Sequence, residues 1–220
     1  MPVTYHRFAG SSLGRLAALS DGVFAVAMTL LVLDLKPPSA PPRSQQPIWS
    51  GAGGSEHTLV HGLAHQVAPR LLPYAMTFLT LGIFWVGQQA QLESFTRSTR
   101  PLTWIHLMFL LGITLMPFST GLLAEDTSYR LSMGVYWLNL FLLGAVLFVS
   151  LAYAERAGLM SAETTPEMRA AMRRRIVVYQ CQYMCAALTC LINTYLANGL
   201  LLVLQLNAVI VPRIWILDRV

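Results

Sequence analysis

Three histidines with regular spacing, His57, His61 and His65, are the first residues of this chain that could do chemistry. On a helix they share one face, and imidazoles with this spacing can bind a divalent metal ion. Gly62 weakens such a helix, so a solvated face without a ligand is the alternative. A zinc peptidase would need glutamate where Thr58 stands, which excludes that catalytic motif.

Asp21 is the second such residue, because it interrupts a long apolar run near the N-terminus. An isolated charge in an apolar environment costs several kcal/mol, so it needs a cation or hydrogen-bond donors. The candidates are Arg15, Arg100, Ser20, Trp85, Trp104 and His106. The sequence alone leaves this choice open.

The elements that must position these residues follow from composition. The chain has 220 residues, of which 55% are hydrophobic and only 11% are charged. So few charges cannot cover a soluble globule, and they bracket apolar runs long enough to cross roughly 30 Å of hydrocarbon. We therefore predict an all-α polytopic membrane protein.

Six transmembrane helices are predicted in a single domain over residues 1–220, with an extracytoplasmic loop over 37–60. The last apolar run, Ile176–Pro212, would reach roughly 55 Å as one helix, so it must fold back. Asn198–Gly199 offers a turn, since both residue types end helices readily. The predicted helices are approximately 13–35, 66–92, 101–124, 131–154, 173–197 and 200–218.

The basic residues predict the orientation, because cytoplasmic loops carry the excess of Lys and Arg. Six spans place Arg7, Arg15, Arg97, Arg100, Arg156, Arg169, Arg173, Arg174, Arg175, Arg213 and Arg219 on one side, and Lys36, Arg43, Arg70 and Arg130 on the other. Both termini are expected in the cytoplasm, with the protein in the cell (inner) membrane. The Arg173–Arg175 run is a topology anchor or, secondarily, a contact for anionic lipid. The net charge of +5 needs no nucleic-acid partner.

One stripe of the first span carries no charge. At 100° per residue, Leu19, Gly22, Val26, Thr29, Leu30 and Leu33 fall on one face, and Asp21 points away from it. The stripe is either a helix-packing face or, if several copies meet around an axis, a pore lining. In the pore interpretation, Val26, Leu30 and Leu33 form apolar constrictions about 6 Å and 4.5 Å apart along the helix.

The same segment resembles a known family. Arg15 followed by Leu19-Ser20-Asp21-Gly22 is similar to the Arg-x-x-x-Phe-Ser-Asp signature of the lysosomal and bacterial potassium channels called transmembrane protein 175, with Leu19 where Phe is usual. Phe24–Leu35, Trp85 and Leu115–Thr120 resemble further landmarks of the family. The chain is identified as a bacterial member by this resemblance, which covers most of the first three spans and extends to the others through topology alone.

The resemblance implies a homotetramer whose first helices surround a central pore. Carried over by position, the family's apolar constrictions fall on Val26, Leu30 and Leu33, and a hydroxyl-bearing layer falls on Thr29. It implies a potassium channel of modest selectivity that needs no cofactor besides the permeant potassium ions. Its expected partners are identical subunits and the lipid bilayer.

Two positions depart from the family pattern. Gln88 stands where bacterial members commonly have histidine, and His106 stands where they commonly have asparagine. The resemblance implies that these positions join Arg15, Ser20, Asp21, Gly22 and Trp85 in a polar network that supports the pore helix. A linked exchange would keep this network and move its titratable group, so that gating would shift between roughly pH 5 and 8 if His106 couples to Asp21. The alternative is a core histidine with ordinary packing.

Other function classes fit the residues less well. A secondary transporter needs repeated broken helices and a polar site at the membrane midplane, and neither is evident in the sequence. A non-conducting membrane packing or scaffold protein is the remaining alternative for the stripe. An enzyme is not expected, because no pair of catalytic groups shares one membrane depth.

Overall fold

The structure, a computed structural model, describes residues 12–37, 59–125 and 129–210. Within these ranges the chain forms six helices and no sheet, which confirms the predicted all-α class. The helices are α1 (Leu13–Asp34), α2 (Leu59–Glu93), α3 (Arg100–Glu125), α4 (Arg130–Arg156), α5 (Pro166–Leu188) and α6 (Thr194–Ile210).

Helices α1 to α4 are each long and apolar enough to cross a membrane. Over its described residues, α6 is apolar but shorter. Helix α5 has five charged residues in its first ten, so its apolar part begins only at Ile176. The described chain is therefore a multi-pass membrane protein.

The predicted bounds of the last two helices, 173–197 and 200–218, are wrong. Helix α5 begins earlier because Thr165 caps it, accepting a hydrogen bond from the Met168 N–H, and because Pro166 favours the first helical position. The chain turns at Asn193, whose Oδ1 accepts the N–H groups of Tyr195 and Leu196 and so caps α6. Asn198 lies inside α6 instead of ending a helix, and residues 211–218 lie outside the described part.

Three further details differ from regular spans. Helix α1 ends in a 3-10 turn, Leu31–Asp34. Helix α2 begins at residue 59, inside the predicted loop 37–60, and contains a π-helical turn over Leu63–Val67. Helix α3 is interrupted between Thr114 and Met116, where Pro117 has no N–H to donate to the preceding turn.

Aromatic and aliphatic side chains of α1, α2 and α3 form the core behind the first helix. Phe24 is buried and its ring lies 6.1 Å from that of Phe109, which in turn lies 6.2 Å from that of Phe84. At one end, the α2–α3 and α4–α5 loops are joined by backbone hydrogen bonds from Thr96 to Leu159 and from Ser161 to Ser94. Helix α1 is thus held on one side by its own subunit.

Candidate functional site

The predicted stripe of α1 faces away from its own subunit. Val26, Leu30 and Leu33 expose 57%, 44% and 69% of their surface. Leu19, Gly22 and Thr29 are also exposed, whereas Phe24, Ala27 and Leu31 on the opposite side are buried. This face of α1 is therefore mostly apolar, and none of the described residues covers it.

Two small residues in this stripe are not explained by packing within the subunit. A Cβ added at Gly22 would meet nothing within 4 Å. The Thr29 hydroxyl donates to the Val26 carbonyl over 2.8 Å, so its proton is used and its oxygen can accept from, or coordinate, a group outside the helix. The stripe can therefore meet a cation through one oxygen layer between apolar layers.

The spacing predicted for Leu33 needs correction. We predicted an α-helix through Leu33, but the α-helical part of α1 ends at Leu30 and Leu33 lies in the 3-10 turn. A 3-10 helix rises about 2.0 Å per residue and places residues i and i+3 in line. Leu33 therefore lies about 6 Å beyond Leu30 instead of 4.5 Å, and nearly above it.

Asp21 is held by two donors on α2. Trp85 donates from Nε1 to Asp21 Oδ1 over 2.8 Å, and Gln89 donates from Nε2 to the same oxygen over 2.6 Å. Trp85 was among the predicted candidates, whereas Gln89 was missed although it stands four residues later on the same face. Among the described residues the one ion pair is Arg173–Glu155, so Asp21 has no cationic partner there and Arg15 does not supply one.

Behind Asp21, a buried polar chain connects four helices. Gln88 donates from Nε2 to Ser20 Oγ over 2.8 Å and lies 3.5 Å from His106 Nδ1, and Ser150 Oγ lies 3.1 Å from His106 Nε2. Ser20 also donates to the Leu16 carbonyl. The two exchanged positions, Gln88 and His106, are thus direct neighbours, and His106 reaches α1 through Gln88 and Ser20. No sequence pattern indicates Ser150.

A second buried polar cluster lies between α2, α3, α4 and α6. Thr77 Oγ1 lies 2.7 Å from Thr120 Oγ1 and donates to Tyr136 Oη over 3.3 Å. Gln205 donates from Nε2 to Thr80 Oγ1 over 2.6 Å. The sequence alone does not predict this cluster. Thr77 and Thr80, three residues apart in an apolar run, are its one local signal, and they do not identify partners on other helices.

The C-terminal end of α1 is fixed by the part of α3 that follows its interruption. A Cβ on Gly121 would lie 3.1 Å from Asp34 Oδ1, so the carboxyl group packs directly on the α3 backbone. Arg70 donates from Nη1 to the Asp34 carbonyl oxygen over 3.4 Å. The 3-10 turn that carries Leu33 is therefore positioned by α2 and α3 together.

The histidine face is only partly described. His57 lies outside the described residues. His61 and His65 are exposed, with ring centroids 4.1 Å apart. Among the residues that the structure places, no group of three potential ligands is close enough to hold a metal ion. The metal site stays a prediction.

These features define a class: a polytopic α-helical membrane protein with buried polar contacts between its helices and an exposed apolar face on its first helix. Comparison with known proteins shows which family this chain is similar to. The model of the endosomal/lysosomal potassium channel TMEM175 family matches residues 15–117. This part of the chain, which contains most of α1, all of α2 and α3 as far as Pro117, is therefore similar to that family, in agreement with the resemblance seen in the sequence.

Individual relatives show the same similarity. A potassium channel of Streptomyces collinus is 36% identical over 127 residues, covering 56% of this chain and 55% of its own length. A potassium channel of Chamaesiphon minutus is 33% identical over 141 residues, covering 63% of each chain. The human endosomal/lysosomal proton channel TMEM175 is 27% identical over 217 residues, covering 93% of this chain and 40% of the relative. The chain thus matches between two fifths and two thirds of the length of these relatives.

The fold of the described chain is also that of a solved channel. The crystal structure of a lysosomal potassium-selective channel TMEM175 homolog from Chamaesiphon minutus superposes with a TM-score of 0.72 and 24% sequence identity. The match covers 90% of this chain and 96% of the solved one. The likeness extends beyond residue 117, where the family model stops, to the helices that carry Ser150 and Gln205.

Proposed function

We propose that this protein is a potassium channel whose pore is lined by the exposed stripe of α1. The observation that carries the proposal is that Val26, Thr29, Leu30 and Leu33 all face away from their own subunit while the opposite side of α1 is fixed by polar contacts. A homotetramer would place four stripes around one axis. The relatives named as potassium channels support this function.

Rings of apolar side chains restrict ion flow by excluding water. A closed ring of Val26, Leu30 or Leu33 imposes a desolvation barrier, and conduction requires the four α1 helices to rotate or separate. Potassium loses its water more readily than sodium, so such a pore favours potassium modestly without a carbonyl filter. The Thr29 oxygen gives a hydrated cation one polar layer between the apolar ones.

The buried contacts of α1 set the geometry of this pore. Trp85 and Gln89 hold Asp21, and Gln88 holds Ser20, so the rotation of α1 is fixed along α2. We further propose that the six helices form one transmembrane domain in the cell membrane with both termini cytoplasmic. The excess of arginines in the loops on that side supports this orientation.

Flux from potassium-loaded liposomes tests the proposal. The purified protein is reconstituted, and rates are recorded for potassium, sodium and a large organic cation. We expect potassium flux to exceed sodium flux and to rise in proportion to the gradient. Leu30→Ala and Leu33→Ala should each reduce the preference for potassium, because a wider ring admits hydrated sodium.

A control variant and a carrier assay supply the results that would contradict the channel proposal. Leu131→Ala, at an exposed leucine in the first turn of α4, is the control for truncating an exposed apolar side chain and should leave selectivity unchanged. Saturable counterflow without net conduction would identify a secondary transporter. If the wild type and both variants are inserted and tetrameric but show no flux, the channel proposal is wrong and the stripe is a helix-packing face.

A further inference from the structure

A cavity of about 80 Å³ lies between α2, α4 and α5. Its walls are mostly apolar and include Phe84, Leu147 and Ile176. Five lining residues carry polar groups and come from two of these helices: Gln91 from α2, and Arg175, Tyr179, Gln180 and Tyr183 from α5. An apolar cavity with a few converging polar groups is the usual form of a small-molecule site.

Three polar atoms of the lining residues have no hydrogen-bond partner. They are Gln91 Oε1, Gln180 Oε1 and the Tyr183 hydroxyl, all buried. The amide nitrogens are already used, since Gln91 donates to the Leu147 carbonyl and Gln180 to the Leu140 carbonyl, each over 3.1 Å. The two oxygens are therefore fixed acceptors that await donors, and each costs about 1–3 kcal/mol if left unpaired.

Arg175 gives the cavity a positive charge. It is half-buried, and its guanidinium lies over the Tyr179 ring at 5.6 Å. Among the described residues the one acidic group in an ion pair is Glu155, and its partner is Arg173. The Arg175 cation and the Tyr183 hydroxyl are therefore both available to donate to an anion.

An apolar groove continues from the cavity. The two share Gly144, Ile176 and Gln180, and the groove extends between α4 and α5 along residues such as Phe148 and Met184. The Gln180 amide occupies the space that a Cβ on Gly144 would fill, so glycine is needed for this crossing. A ligand that fits both parts has a polar head and a long apolar tail.

We propose that this cavity and groove bind an anionic phospholipid whose headgroup carries hydroxyl groups, as in phosphatidylglycerol. The phosphate accepts from the Arg175 guanidinium and the Tyr183 hydroxyl, and the headgroup hydroxyls donate to Gln91 Oε1 and Gln180 Oε1. One acyl chain lies in the groove between α4 and α5. The match is between two unpaired acceptors and two hydroxyls, and between one unpaired cation and one phosphate.

Lipid binding to the purified, detergent-solubilised protein tests the proposal without ion flux. Native mass spectrometry counts the phosphatidylglycerol, phosphatidic acid or phosphatidylcholine that each subunit retains. We expect the wild type to prefer phosphatidylglycerol to phosphatidic acid, and both to phosphatidylcholine. Arg175→Gln should weaken binding of both anionic lipids about tenfold, because it removes a charge-assisted hydrogen bond to the phosphate.

Two more variants separate the headgroup contacts from general charge. Gln91→Leu should retain phosphatidic acid and lose the preference for phosphatidylglycerol. Arg174→Gln removes the same charge from the exposed neighbour and should change either affinity by less than about twofold. A melting temperature close to the wild type identifies the variants that are folded. Equal retention of phosphatidylglycerol and phosphatidylcholine, or equal loss in Arg174→Gln and Arg175→Gln, would overturn the proposal and leave a cavity that holds only water.

Discussion

On α1, the side that faces its own subunit carries Ser20, Phe24 and Leu31, all buried, whereas the opposite side exposes Val26, Leu30 and Leu33. The buried side thus contains a polar group within its apolar packing, and the exposed side is apolar over most of its length. In water this distribution would be reversed. In a membrane protein it is stable, because an exposed apolar side chain can meet lipid or another copy of the chain, whereas buried polar groups must find partners inside the protein.

The comparison separates two roles on one helix. The buried side fixes the rotation of α1 through Ser20, and the neighbouring Asp21 is held by Trp85 and Gln89. The exposed side has no role in packing within the subunit, as the free space around Gly22 illustrates. Substitutions on the first side should therefore change stability, and substitutions on the second should change conduction.

Truncation of a core ring should give the largest loss of stability. Phe24→Ala removes a buried ring that packs against Phe109, and we expect it to lower the free energy of unfolding by about 3–5 kcal/mol. Val26→Ala, two residues away on the exposed side, should change it by less than about 0.5 kcal/mol. Denaturation by SDS in mixed micelles measures both. Equal losses would contradict the division of α1 into two faces.

A substitution in the buried polar chain should cause an intermediate loss of stability, which a second substitution in the same chain should restore in part. Gln88→His alone should cost about 1–3 kcal/mol, because it alters the donors that face Ser20 and His106. Adding His106→Asn restores the pair that is common in the family. We therefore expect a coupling of about 0.5–3 kcal/mol in a double-mutant cycle of SDS denaturation. Additive losses would show that the two departures from the family pattern are independent.

A substitution at the contact between Gly121 and the C-terminal end of α1 should cause the smallest loss of stability. Gly121→Ala places a Cβ 3.1 Å from Asp34 Oδ1, and displacing the carboxyl group should cost about 1 kcal/mol. Gly134→Ala on α4 is the matched control, since its Cβ would meet nothing within 4 Å. It should leave the melting temperature unchanged or raise it. A lower melting temperature for Gly134→Ala than for Gly121→Ala would exclude the proposed contact.

The apolar runs predict α1, α3 and α4 well because charges lie near both ends of each run, whereas α2 begins at residue 59, well before the charge at Arg70. The stripe of α1 is also predictable, since helical periodicity needs no knowledge of neighbours. The starts of α5 and α6 are not predictable in this way, because charged residues can lie inside a helix, and the caps at Thr165 and Asn193 are single polar residues among many. Partners such as Gln89, Ser150 and Gln205 depend on which helices meet, and a single sequence does not encode this locally.

Thiol accessibility in the conducting state tests the central claim most directly. In a background with Cys181, Cys185 and Cys190 replaced, Val32→Cys and Leu33→Cys place a thiol at adjacent positions that expose 50% and 69% of their surface and differ in direction by about 120°. A charged methanethiosulfonate reagent should block potassium flux through Leu33→Cys and leave flux through Val32→Cys unchanged. Block of Val32→Cys alone, or unchanged flux through fully labelled Leu33→Cys, would contradict a pore lined by this face of α1.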